Sequence, residues 1–250
     1  NTPTVALDQC HSLILHMIDC VMKNFSTATE LLGSYDEKAF EELNKNESFI
    51  DRCETELTAY IIRIDRKKLP DDYKKMVGEM LNSISDLERI GDYAMRIAYY
   101  AQEKYEKNIH FTQVGNEELH YILYASNNAL ESALVSFRDN DLELAYRVQP
   151  LEQIILEMKN VIKEHHVERL QEGICSVESG VALFDLLNCF ERIASHAANI
   201  SLHVIKRLQD NSSFDEMHGH SQQFSGSGYD TLVTDYQTEF LEPLQNEEVE

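Results

Sequence analysis

Residues that break helices are scarce in this chain. Four prolines and nine glycines are few for 250 residues, and several fall between periodic segments, leaving long runs in which helices can propagate. Basic residues are scarce too: 22 Lys plus Arg face 44 Asp plus Glu, a net charge of -22. Phosphate backbones require a basic surface, so nucleic acid is excluded as a partner, and cations or basic partners are favoured. The five cysteines are odd in number and lack CxxC spacing. They read as reduced core residues of a cytosol-like compartment rather than a disulfide framework. No stretch approaches the roughly 18 to 20 apolar residues that cross a bilayer, and no charged-then-apolar leader is present, so no direct membrane insertion is expected. Also missing are a Gly-rich phosphate cradle, a nucleophile motif and an HExxH pair, so the chain is expected not to be an enzyme. The first residue is Asn1 rather than Met, as expected of a piece cut from a longer protein and equally of processing or cloning.

What is present is helical periodicity. With 43% hydrophobic residues, the chain can bury one large core or two small ones. From Thr4 to Leu32, Ala6, Cys10, Leu13, Met17, Val21, Ala28 and Leu31 recur at three- and four-residue steps, with Gly33 as a stop, predicting a first helix. Ser34 and Glu37 have capping-box spacing before a second run that ends at Arg66-Lys67-Lys68. Pro70 opens a third, which fades near Lys107. The same order returns over about 116–137, 141–170 and 176–208, with Pro150 placed to kink the fifth helix. The fold class predicted is all-α: two tandem antiparallel three-helix repeats, 1–107 and 116–208, followed by a flexible acidic tail over 209–250. Within that tail, residues from Tyr229 to Leu244 offer a short amphipathic segment that could dock on a partner.

Internal alignment supports the duplication. Glu88 to Ile97 matches Glu191 to Ile200 at five of ten positions. A shift of 105 residues sets Asp36 on Asp141, Leu43 on Val148, Glu47 on Glu152 and Ile50 on Ile155.

Glu47 with Asp51, and Glu88 with Asp92, each lie four residues apart and so share a helix face. On antiparallel neighbours the four carboxylates can converge, given turns that absorb a register mismatch of about 8 Å. Like charges at this spacing destabilise a helix by a few tenths of a kcal/mol per pair, and a cation between them reverses that sign. Acidic helix pairs are also common as solvated faces, where Glu88 would simply pair with a neighbour such as Arg89 or Arg96. A di-iron type of enzyme bundle would add a Glu-x-x-His motif, and neither acidic pair carries one.

The segment Asp86-Leu87-Glu88-Arg89-Ile90-Gly91-Asp92-Tyr93-Ala94 resembles the signature of the PhoU family of phosphate-uptake regulators, over nearly all of residues 4 to 208. That resemblance implies two three-helix repeats whose paired acidic motifs bind a multinuclear metal cluster of Fe, Zn, Mn or Mg. The ligands it implies are Glu47, Asp51, Glu88 and Asp92 in repeat one. In repeat two Glu152 and Glu191 survive, but Leu156 and Ser195 replace the two aspartates, which puts a second site in doubt; His196, and the pair His165-His166, are weaker candidates for ligation. The run Leu187 to Ile200 and the opening Asn1 to Leu7 further resemble the PhoU-like domain that follows the membrane part of bacterial sodium/phosphate cotransporter family proteins. The implied partner is that transmembrane part, with the domain cytoplasmic and tethered at the inner face of the membrane. Homo-oligomerisation and a free-standing PhoU-type regulator remain open.

Overall fold

Apolar residues at three- and four-residue steps commit each long run to one buried face, and six long helices result: α1 Pro3–Gly33, α2 Glu37–Arg63, α3 Asp71–Glu106, α4 Gln113–Asp139, α5 Leu142–Gln171 and α6 Val177–Leu208. The computed structural model describes residues 3–64, 69–208 and 227–246, and among these every regular element is helical.

The helix starts are fixed by short polar side chains that satisfy otherwise unpaired amides. Asp36 accepts from the Ala39 amide at 2.8 Å, Thr112 from Gly115 at 3.0 Å, and Asp141 from Leu144 at 3.0 Å. The expected Ser34–Glu37 box is therefore replaced by Asp36, whose extended backbone (φ -132°) suits a cap. At the other end of α4, Asn140 takes a left-handed φ of 57°, which asparagine tolerates and which closes the helix. α5 runs through Pro150 without interruption.

α3 and α6 form the central seam. α1 packs on α3 and α4 on α6, while α2 lies across α1 and α3 and α5 across α4 and α6. The two triplets share a continuous core, with Phe25 of α1 edge-on to Phe190 of α6 at 6.4 Å. Polar contacts also cross the seam: Asp86 of α3 meets His196 at 2.9 Å and Asn199 at 3.2 Å on α6.

Two expectations need correction. By length and composition α1 does qualify to cross a membrane, since its most apolar 18-residue stretch reaches a mean hydropathy of 1.2. In this fold its apolar face is spent on the bundle instead, with Leu7, Ile14, Met17, Val21 and Phe25 buried and Asp8 and Asp19 on the remaining surface. The second correction concerns the tail. Residues 227–246 are not loose: α7 (Ser227–Tyr236), a π-helical turn (Gln237–Leu241) and α8 (Glu242–Asn246) pack along α5. Phe240, Leu241 and Leu244 are buried, and Tyr229 donates to Gln153 Oε1 at 3.1 Å. The amphipathic segment docks on its own chain. Residues 209–226 and 247–250 of the expected tail lie outside the described residues.

Candidate metal centre

Four-residue spacing places Glu47 and Asp51 on one face of α2 and Glu88 and Asp92 on one face of α3, and the packing of α2 on α3 turns the two faces together. Oxygens of Glu47, Asp51 and Asp92 lie within 4.8 Å of one another, so the register mismatch does not keep the two faces apart. Glu88 stays outside that trio, half-buried, with Arg89 Nε 3.6 Å from its carboxylate. Arg89 also reaches Asp92 at 3.9 Å.

Gly91 explains how Glu47 gets in. A Cβ on Gly91 would lie 2.8 Å from Glu47 Oε2, so only glycine lets the carboxylate settle against the α3 backbone. Glu47 is 7% exposed, and neither carboxylate oxygen has a hydrogen-bond partner. Burial, and then the charges of Asp51, Asp92 and Glu88, push its pKa up to about 8, an effect the neighbouring Asn24 offsets only weakly. The Asp51 and Glu88 carboxyls are raised as well, each by burial first and by Asp92 second.

These residues fit a bound cation. A buried, unpaired carboxylate is costly as it stands, and a positive ion between three converging carboxylates would remove that cost. The donors are all carboxylate oxygens, which suits hard ions such as Mg, Mn or Fe better than soft-ligand metals.

Repeat two holds a different arrangement. Glu152, the counterpart of Glu47, is raised by burial and steadied by a hydrogen bond with Ser195, the residue standing where the resemblance implies aspartate. Leu156, the counterpart of Asp51, is 46% exposed. Glu191 is met at 3.3 Å by the ammonium of Lys159, both side chains largely buried. Lys159 corresponds to Glu54 under the same 105-residue shift, so the chain supplies its own cation in this half. His196 is engaged with Asp86 and stacks on Tyr93 with ring centroids 6.0 Å apart. His165 contacts Glu118 at 2.7 Å, and His166 sits against Gly180, where a Cβ would lie 2.6 Å from its Nε2. Among the described residues, the repeat-one trio is the sole group of three candidate ligands so close together.

Sequence reading missed Lys159, because a lysine on a charged helix carries no signal unless the repeats are compared position by position. It also missed the buried pair of Glu118 and Arg169, joined through both guanidinium nitrogens at 3.1 and 2.5 Å. Their sequence separation of 51 residues hides that contact.

Known proteins share this fold. The family model described as PhoU domain matches twice, over residues 14–101 and 123–204. A Thermotoga maritima protein named phosphate-specific transport system accessory protein PhoU homolog 1 is 26% identical over 190 residues, 76% of this chain and 81% of that protein. The Pseudomonas putida protein named as a PhoU homolog of the same system is 28% identical over 202 residues, 80% of this chain and 77% of that protein. Among solved structures, PhoU from Pseudomonas aeruginosa superposes with a TM-score of 0.75 at 23% identity, covering 82% of this chain and 97% of the other. The regulatory protein PhoU from Streptococcus pneumoniae gives 0.71 at 20% identity, covering 82% and 96%. Both structures share the fold. With two matches in tandem spanning most of α1 to α6, the chain belongs to the PhoU domain family.

Proposed function

We propose that this chain is a non-catalytic regulator of phosphate uptake that acts through contacts with a membrane transporter, and that repeat one holds the metal on which those contacts depend. The observation that carries this reading is Glu47: a carboxylate buried without a partner, beside Asp51 and Asp92, in a cradle that Gly91 keeps open. Glu47, Asp51 and Asp92 would hold the ion, with Glu88 completing its surroundings from the edge. The ion would supply positive charge and nothing more, tying α2 to α3 so that the exposed carboxylate edge keeps a fixed shape for a partner. The names of the relatives, accessory proteins of phosphate-specific transport systems, support the transporter as partner.

Inductively coupled plasma mass spectrometry on untagged wild type and on Asp51→Asn/Asp92→Asn tests the centre. Stoichiometric metal in wild type that is lost in the variant is expected, together with altered phosphate uptake by cells carrying the variant. Metal-free wild type protein, purified without chelator from metal-replete cells, would sink the metal part of the reading.

In its finer form, the chain is the cytoplasmic domain of a sodium-dependent phosphate cotransporter, tethered to the inner face of the membrane. This rests on the likeness of Asn1 to Leu7 and Leu187 to Ile200 to that family. The named relatives favour a second form, a separate accessory protein of comparable length. An immunoblot of fractionated native cells separates the two. A membrane-bound band far above 28.9 kDa means tethering, and a soluble band near that mass means a free-standing regulator.

A further inference from the structure

Beyond its core face, α5 carries a second stripe that its counterpart in repeat one lacks. The core face holds Val148, Leu151, Ile155, Met158 and Ile162. The second stripe passes through Gln153, which accepts the Tyr229 hydroxyl, and at three- and four-residue steps it runs Tyr146, Pro150, Gln153, Glu157 and Val161. Pro150 is buried, and Tyr146, Glu157 and Val161 are half-buried. Under the 105-residue shift the same stripe of α2 reads Glu41, Lys45, Ser48, Arg52 and Glu56, and all five are exposed. A three-helix repeat therefore folds with this stripe wholly polar. The bundle does not require an apolar stripe on α5; a helix laid across it does.

The helix laid across it is the tail, and its hold is local. Phe240, Leu241 and Leu244 are buried, and Phe240 meets Tyr124 of α4 with ring centroids 5.8 Å apart. The tail's bundle contacts run mainly to α5, with a few to α4. Helices as short as α7 and α8 are marginal on their own, so the segment is ordered only where it finds this surface.

The connection to the tail is longer than folding back demands. α6 ends beside Asn140, whose side chain Arg207 bonds at 2.5 Å, and the tail begins beside Gln153. At helical rise those two points along α5 lie roughly 20 Å apart. Residues 209–226 join α6 to the tail, and a stretch of that length reaches roughly 60 Å when extended. Docking within one copy uses about a third of that reach, which leaves the α5 of an adjoining copy within range.

We infer that the tail exchanges between copies: residues 227–246 of one protein dock on the α5 stripe of a second, whose own tail docks in return. A reciprocal pair reproduces every tail contact of the closed form, so it gives up none and costs chiefly the freedom lost on association. Attachment to its own bundle holds each tail at an effective concentration on the order of millimolar, so dilute copies are closed and exchange belongs to crowded ones. The occupant of the stripe is then a second copy of this chain, by the length of the connection. This inference rests on neither the metal nor the transporter.

The test uses the full chain in two variants, each first checked for the main thermal transition of wild type. Phe240→Asp/Leu244→Asp removes the anchors and leaves α5 open. Tyr124→Glu/Gln153→Glu, at two exposed positions, sets carboxylates against an acidic tail and leaves that tail free. In sedimentation velocity each variant alone is expected to be a monomer. Their mixture is expected to form a one-to-one dimer, because the open α5 of the first accepts the free tail of the second. A mixture that stays monomeric confines the tail to its own copy and overturns the exchange, as does a dimer formed by either variant alone. A second measurement leaves the anchors in place. Gln153→Cys protein is mixed with Tyr229→Cys protein under mild oxidation, since the two native side chains meet at 3.1 Å. A reducible species at twice 28.9 kDa is expected in the mixture, well beyond that of either protein alone, and is expected to be lost when Phe240→Asp is added to the Tyr229→Cys protein. Its absence from the mixture, or its persistence with Phe240→Asp, overturns the inference.

Discussion

Glu47 concentrates in a single residue the electrostatic cost of the carboxylate cluster. Its carboxyl has an ordinary value of 4.5 and is raised to about 8 in the fold. Between those values the folded metal-free chain keeps a proton that the unfolded chain has released, so stability falls as pH rises from about 4.5 to 8. Glu47→Gln removes this dependence. Chemical denaturation of chelator-treated protein at pH 5 and pH 8 should show wild type losing stability between the two while Glu47→Gln loses markedly less, and should find the variant the more stable at pH 8. The same slope in both proteins would mean that another group carries the pH dependence. Added metal should reverse the ranking at pH 8, because the variant gives up a charged ligand.

At the scale of elements, the six long helices were legible because each hides one apolar stripe, which recurs in the sequence at three- and four-residue steps. The quartet was partly legible for the same reason: i, i+4 spacing fixes a shared face, though not that Glu88 would stand outside the trio. The tail was harder to read. Its acids argue for solvation, and nothing local reveals that α5 is covered on two sides, by the bundle and by Phe240, Leu241 and Leu244. Burying each such side chain stabilises the contact by about 1.5–3 kcal/mol, enough to hold a short helix that would be marginal alone. Phe240→Ala should therefore release the tail rather than unfold the bundle. Limited proteolysis is expected to cut within 227–246 much faster in the variant, with the main thermal transition nearly unmoved. A large drop in that transition without faster cleavage would make the tail an integral part of the core.

For the whole molecule, duplication followed by divergence is written in charge. Repeat one opposes carboxylates to one another, whereas repeat two lays Lys159 on Glu191 and Ser195 on Glu152. Restoring aspartate at one position cannot undo this, because the ammonium remains. Ser195→Asp alone should leave metal content unchanged, while Leu156→Asp/Lys159→Glu/Ser195→Asp should raise it toward two sites per chain, as read by metal analysis of the purified proteins. A gain from Ser195→Asp by itself would show that Lys159 is easily displaced. Leu156 is exposed, so that substitution adds little strain.

The tethered ammonium has one more consequence. A cation carried on a side chain is not lost to the solution, so Glu191 keeps its counter-charge whatever metal is supplied. On the proposed metal site, only the first half would then respond to a change in metal supply, and a pseudo-symmetric scaffold would become a one-input device. Its response to titrated metal should follow a simple hyperbola, graded across the working range, where two matched inputs in one bundle would be free to couple and sharpen it into a threshold.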